Sequence, residues 1–192
     1  MHPNFKKFKN TNEIDSWYTK FQSAFPSDNS TDKGFIDAIT NYTGSLNNII
    51  NNHLRYNKQI DSIHLSHYET MIIKLPTYHI PDDIIVYRYI SKGLLKEMCP
   101  SYPPKTRMII QDKGFMSTTL LKSGVTPYRE GRNQNILLTI SLPSGTKGTY
   151  VGHLESTLSE YEVILAPNTK LRIDCKIPFC DCNIKCTVIN ES

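Results

Sequence analysis

Two acidic residues near the end of the chain give the strongest chemical signal in the sequence. Glu160 and Glu162 stand two apart in the run Ser159–Leu165. In an extended strand they would share one face, about 6.6 Å apart along the chain, and their like charges would repel. A carboxylate stabilises the oxocarbenium-like transition state of glycosidic-bond cleavage, and a second carboxylate leaves room for an incoming nucleophile. The alternative is a solvated edge strand with acidic residues.

A second signal is an arginine inside an apolar strand. Arg88 lies in the run Val86–Ile90, and the chain has only six arginines beside sixteen lysines. Burying a guanidinium is costly unless it meets an anion, and its planar fork suits phosphate or pyrophosphate. The pattern therefore indicates an anion site, with a structural ion pair as the alternative.

Hydroxyl residues form a third signal, within the run Gly114–Thr119. Alternation along a strand directs Ser117 and Thr119 to the same face. Side chains of this type can orient a carboxylate on a neighbouring strand.

Helices are predicted for residues 1 to about 80, where apolar residues recur at three- and four-residue spacing. Asn12 is expected to cap the first helix. The second helix is expected to end before Ser45, which caps the third. The fourth helix runs from about Asp61 until Pro76 ends it.

Strands are predicted from Pro81 onward, where short β-branched runs alternate with turn residues. The seven expected strands are Asp83–Ile90, Lys113–Leu120, Ile136–Pro143, Thr149–Leu154, Glu160–Pro167, Lys170–Ile177 and Lys185–Asn190. Their close spacing favours antiparallel sheets packed face to face. The predicted fold is α+β: one domain, 1–192, in which a helical layer (1–80) packs on a two-sheet, mostly antiparallel β-sandwich (81–192).

The composition argues against several other classes of protein. The chain has 192 residues, 39% apolar and 21% charged, as in globular domains. It has no apolar run of about 20 residues, so no membrane span is predicted, and the basic N-terminus does not read as a secretory signal. Its scattered basic residues do not favour nucleic-acid binding. Four late cysteines match no paired zinc-ligand spacing, so no metal is predicted: Cys175, Cys180, Cys182 and Cys186.

The order of Arg88, the Ser117–Thr119 hydroxyls and the Glu160–Glu162 pair resembles the arginine–serine–glutamate class of mono-ADP-ribosyltransferases. The resemblance is greatest to bacterial toxins and exoenzymes, and it covers nearly the whole chain. Upstream, Tyr42 followed nine residues later by Asn51 is similar to the family's helix-end segment.

The resemblance implies that NAD is the substrate and that no metal takes part. Arg88 would hold the pyrophosphate, with Tyr42 and Asn51 helping from the helical layer. The loop after Thr119 would add an aromatic residue and an arginine. Tyr128 fits the first role, and Arg132 is preferred over Arg129 for the second because a Gly-Arg pair precedes the next strand.

The resemblance also implies the catalytic roles. Ser117, assisted by Thr119, would position Glu162. Glu162 would bind the ribose next to nicotinamide and stabilise the oxocarbenium ion. Glu160 would hold and activate the acceptor, and in this family a glutamate at that place accompanies arginine acceptors.

The implied function is NAD-dependent transfer of ADP-ribose to an arginine of a target protein. The chain would be a toxin or effector, secreted or delivered into the host cytosol, with actin or a small GTPase as target by analogy. The resemblance leaves room for a separate translocation component. The alternatives are an NAD glycohydrolase and a catalytically degenerate interaction module on the same scaffold.

Overall fold

The N-terminal part of the chain forms the predicted helical layer. A computed structural model describes residues 4–27, 32–124, 128–129, 132–154, 161–176 and 183–190. The α-helices are α1 (Thr11–Phe21), α2 (Lys33–Asn41), α3 (Asn47–Tyr56), α4 (Ser62–Lys74) and α5 (Lys92–Met98). Three-residue 3₁₀ turns lie at Gln22–Ala24, Leu75–Thr77 and Lys122–Gly124.

The predicted start of the fourth helix near Asp61 is confirmed, whereas the two predicted helix caps are wrong. Asp61 caps α4, because its side chain accepts a hydrogen bond from the backbone N–H of His64. The predicted cap at Asn12 is wrong, since Asn10 caps α1 by accepting from the N–H of Glu13 at 3.0 Å. An asparagine side chain thus caps α1, as residues of this type commonly do. The capping residue is Asn10, two residues before the predicted Asn12.

The predicted break between the second and third helices is also wrong. Tyr42–Leu46 form a π-helical segment that joins α2 directly to α3, so Ser45 is not a cap. Tyr42 and Leu46 are buried in the segment, at 0% and 4% exposure. Their burial outweighs the weak helix preference of the Thr-Gly-Ser sequence.

In the described residues, nine strands follow α4, and α5 lies between the first two. The strands are β1 (Ile84–Ser91), β2 (Ile109–Asp112), β3 (Met116–Thr119), β4 (Tyr128–Arg129), β5 (Arg132–Leu142), β6 (Gly148–Tyr150), β7 (Glu162–Leu165), β8 (Thr169–Lys176) and β9 (Asn183–Val188). The pairing order is β2-β8-β9-β5-β1-β3-β7-β6, with β4 beside β5. The β5–β9 pair is parallel and the other described pairs are antiparallel. Strands β2 and β4 and helix α5 have no counterpart among the predicted elements.

The α+β class is confirmed, but the prediction of two separate sheets is not. Antiparallel pairing of Tyr87 with Thr119 joins β1 to β3, and this link makes the described strands one continuous sheet. The link is a single residue pair, whereas β1 pairs with β5 along its whole length. Short β-branched runs in the sequence predict individual strands. They do not determine whether the edge strands of two sheets pair with each other.

Hydrophobic residues on the two faces of the sheet form separate clusters. One cluster contains Val163 and Leu165 of β7 together with residues of α1 and α5. The other contains Ile164 and packs under α2, α3 and α4. Because side chains alternate along a strand, Glu162 shares the face of Ile164. The strand therefore directs this carboxylate toward the helical layer.

Among the cysteines that the structure describes, Cys99 and Cys186 have free thiols. Cys99 and Cys186 are buried and Cys175 is exposed, whereas Cys180 and Cys182 lie outside the described residues. Burial raises the pKa of the Cys186 thiol to about 12, with a smaller contribution from Asp174. Within the described part of the chain, every helix is too short or too polar to span a membrane.

The contact between sheet and helical layer predicts a contrast between two isoleucines. Ile164 is 0% exposed and Ile63 is 75% exposed. We expect Ile164→Ala to lower the free energy of unfolding by about 2–5 kcal/mol, since it leaves a cavity beneath the helices. Ile63→Ala should change it by less than about 0.5 kcal/mol. Urea denaturation followed by circular dichroism measures both, and equal effects would contradict this placement of the core.

Candidate active site

Strands β3 and β7 place a hydroxyl pair beside a carboxylate. Thr119 lies directly opposite Glu162, and Ser117 lies opposite Ile164. Directly opposed residues share a face of the sheet, so Ser117, Thr119 and Glu162 all face the helical layer. Glu162 is buried, with 6% of its surface exposed.

The helical layer contributes a tyrosine and an asparagine to the same region. The Nδ2 of Asn51 donates to the hydroxyl of Tyr42 at 3.0 Å. The Oδ1 of Asn51 accepts from the backbone N–H of Phe115 at 2.8 Å. Asn51 therefore connects the π-helical segment to the start of β3 and has both ends of its amide satisfied.

The Tyr42 hydroxyl is the point at which these side chains converge. Burial raises the pKa of Tyr42, and the charge of Glu162 raises it further. Hydrogen bonds with Ser117 and Asn51 lower it, as does the positive charge of Arg88. Four groups from one helix and three strands thus lie within electrostatic reach of one hydroxyl.

Arg88 of β1 is largely buried, with 15% of its side chain exposed. Its Nη1 lies 3.4 Å from the Oδ2 of Asp112. Burial lowers the pKa of Arg88 and the charge of Arg55 lowers it further, whereas Asp112, Tyr42 and Glu162 raise it. The long contact to Asp112 makes this a weak ion pair, so the guanidinium retains donors for another anion.

Arg55 and Asp112 belong to this site and were missed by the sequence reasoning. Arg55 forms a bidentate pair with Asp112, with N–O distances of 2.8 and 2.9 Å, and Asp112 is 1% exposed. Arg55 follows Asn51 by four residues and thus shares its helix face, which is a signal available in the sequence. Asp112 ends β2, a strand that was not predicted.

The strand predicted for Glu160–Pro167 begins later than predicted. Strand β7 begins at Glu162 rather than at Glu160, and Tyr161 has a left-handed backbone with φ of 47°. Tyr161 is therefore not part of the strand, and the strand alternation begins at Glu162. Glu160 itself lies outside the described residues.

The loop predicted to complete the site is described in part. Arg129 and Arg132 pair across β4 and β5, and Tyr128 pairs with Asn133. The side chains of Tyr128, Arg129 and Arg132 lie outside the described part of the structure. In the described residues, no group of three or more His, Cys, Asp or Glu side chains could hold a metal ion.

The fold is that of bacterial ADP-ribosylating toxins. BECa, from a binary enterotoxin of C. perfringens, superposes with a TM-score of 0.76 and 21% identity, covering 97% of this chain and 50% of that one. The C3 exoenzyme of Clostridium limosum superposes with a TM-score of 0.74 and 19% identity, covering 98% of each chain.

A sequence model described as ADP-ribosyltransferase exoenzyme matches residues 6–189, and the chain belongs to this family. The mono(ADP-ribosyl)transferase SpvB of Salmonella typhimurium is 33% identical over 95 residues, which are 48% of this chain and 15% of SpvB. The chain thus spans half of BECa and a much smaller part of SpvB.

The close approach of α3 to the turn before β3 predicts an intolerance of side chains at Gly114. A Cβ there would lie 2.6 Å from the Oδ1 of Asn51 and 3.0 Å from the guanidinium of Arg55. We expect Gly114→Ala to lower the free energy of unfolding by about 1–3 kcal/mol, because both side chains must move. Gly44→Ala is the matched control, since its Cβ would meet nothing within 4 Å. Urea denaturation distinguishes them, and a neutral Gly114→Ala would contradict the close packing.

Proposed function

We propose that this chain cleaves NAD and transfers ADP-ribose to an arginine of a target protein. The observation that carries the proposal is the convergence of Tyr42, Asn51, Arg88, Ser117 and Glu162 around one buried position. The family membership supports the reaction class. Structures of similar fold include BECa with NADH and C3stau2 of S. aureus with NAD.

In this proposal Arg88 binds the pyrophosphate of NAD. Two N–H groups of a guanidinium can donate in parallel to phosphate oxygens, a geometry that an ammonium cannot match. Tyr42 and Asn51 assist from the helical layer. Tyr128 and Arg132 would complete the nucleotide site from the loop that joins β3 to β5.

Glu162 acts on the ribose next to nicotinamide. When the bond between the ribose anomeric carbon and the nicotinamide nitrogen breaks, its electron pair leaves with nicotinamide. The ribosyl group becomes an oxocarbenium ion, which a nearby carboxylate stabilises. Nicotinamide departs from a cationic state, so no general acid is required. Ser117 and Thr119 keep Glu162 in place.

Glu160 acts on the acceptor. A protonated guanidinium is a poor nucleophile until a carboxylate orients it and takes a proton from the attacking nitrogen. That nitrogen then bonds to the anomeric carbon and completes the transfer. The target would be a host protein such as actin or a small GTPase, and the chain a secreted or delivered toxin or effector.

Removal of the Glu162 charge tests the cleavage step. We expect Glu162→Gln to reduce nicotinamide release from NAD by about 10²–10³-fold, because the oxocarbenium ion loses its counter-charge. Glu69→Gln, an exposed substitution on α4, is the matched control and should leave the rate unchanged. Chromatographic measurement of nicotinamide reports both rates, and full activity of Glu162→Gln would contradict the assignment.

Removal of the Glu160 charge tests whether the chain is a transferase or an NAD glycohydrolase. We expect Glu160→Gln to abolish the labelling of protein arginines while much of the nicotinamide release remains, since water needs no activation by this residue. Labelled NAD, a host-cell lysate and mass-spectrometric mapping of the modified side chain provide the measurement. Equal loss of both activities would count against the role of Glu160, and labelling of another residue type would exclude arginine specificity.

A further inference from the structure

Asp112 is a buried carboxylate that lies between two arginines. Its Oδ1 accepts from the Nε of Arg55 at 2.8 Å and from the backbone N–H of Gly114 at 2.9 Å. Its Oδ2 accepts from the Nη2 of Arg55 at 2.9 Å and lies 3.4 Å from the Nη1 of Arg88. The carboxylate therefore connects helix α3, strand β1 and the turn between β2 and β3.

The two arginines are held by Asp112 to different degrees. Arg55 makes two short parallel hydrogen bonds, the strong geometry for a guanidinium and a carboxylate. Arg88 makes one long contact, which is its single hydrogen bond to a side chain in the described part of the chain. Arg55 and Gly114 thus fix the carboxylate, and the fixed carboxylate restricts Arg88 while leaving most of its donors available.

The hydrogen-bonded cluster around Asp112 contains more positive than negative groups, and the charge of Glu162 also acts on Arg88. Two guanidinium groups share one aspartate that is 1% exposed, and the two arginine side chains are 14% and 15% exposed. Buried charges of one sign are costly unless a further counter-charge is supplied. Burial and the neighbouring Arg55 both lower the pKa of Arg88, as expected for a cation whose local compensation is incomplete. A doubly charged anion such as a pyrophosphate would provide the missing compensation.

We propose that Asp112 is a positioning residue, which Arg55 holds in place so that it aims the Arg88 guanidinium at the pyrophosphate of the substrate. This inference rests on the proposed function, since it takes the ligand of Arg88 to be NAD. Asp112 acts through Arg88 and does not touch the reacting atoms. Preorganisation of this kind lowers the cost of ordering a flexible side chain when the ligand binds.

Binding of ADP-ribose, which contains the pyrophosphate but has no bond to cleave, tests the inference. We expect Asp112→Asn to weaken ADP-ribose binding by about 10- to 100-fold, the range for one hydrogen bond to a charged group. Asp174→Asn is the matched control, because Asp174 accepts from the Nε of Arg172 at 3.1 Å in an exposed pair on β8. Isothermal titration calorimetry or ligand-observed NMR gives both dissociation constants.

A double-mutant cycle distinguishes positioning from general stability. In an Arg88→Met background, Asp112→Asn should cause little further loss of ADP-ribose affinity, because the group on which it acts is absent. Arg55→Lys provides a second variant if Asp112→Asn does not fold, since it retains the charge and removes the bidentate geometry. It should also weaken ADP-ribose binding when Arg88 is present and not when Met replaces it.

The outcomes separate the inference from the proposed function. Unchanged ADP-ribose affinity in folded Asp112→Asn, or an equal loss with and without Arg88, would overturn the positioning role alone. If the wild-type chain binds ADP-ribose and releases no nicotinamide from NAD, the proposed activity fails and the positioning role stands. Failure of the wild-type chain to bind ADP-ribose would overturn both.

Discussion

The attachment of helix α3 to the turn before strand β3 is the constraint on which the site depends. Asn51 accepts from the N–H of Phe115, and Arg55 pairs with Asp112 one helical turn later. Gly114 makes this approach possible, because a Cβ would collide with both helix side chains. These contacts satisfy buried polar groups that would each be costly if left without partners. They also fix the distance between the helical layer and the sheet at this point.

Charge is distributed unevenly within the candidate site. Arg55 and Arg88 both pair with Asp112 and form the positive part of the site. Glu162, on strand β7, supplies a separate negative charge. The proposed substrate has the opposite pattern, with a negative pyrophosphate joined to a ribosyl group that becomes positive as the bond breaks. A site whose dipoles and charges are already oriented pays little reorganisation when charge develops, which is the main source of electrostatic catalysis. The packing that holds the helices on the sheet would therefore support the proposed chemistry directly.

The sequence predicted the regular elements well and the irregular ones poorly. The fourth helix and its start near Asp61 follow from periodicity, and the strand that carries Arg88 follows from its β-branched run. Helix α5 and strand β2 were missed because seven and four residues are too few for a periodic signal. Strand β2 is instead determined by its pairing with β8, about 60 residues later in the chain.

The sequence by itself determined the chemical groups of the site: an arginine, a hydroxyl and a glutamate, each on a strand, in the order typical of the family. Only the tertiary structure decided that Arg55 and Asp112 join them, that one residue pair unites the sheet, and that β7 begins at Glu162. The physical reason is that the interactions involved act over different separations along the chain. Propensity and alternation act between neighbours in the chain, whereas ion pairing and burial depend on which distant segments are brought into contact.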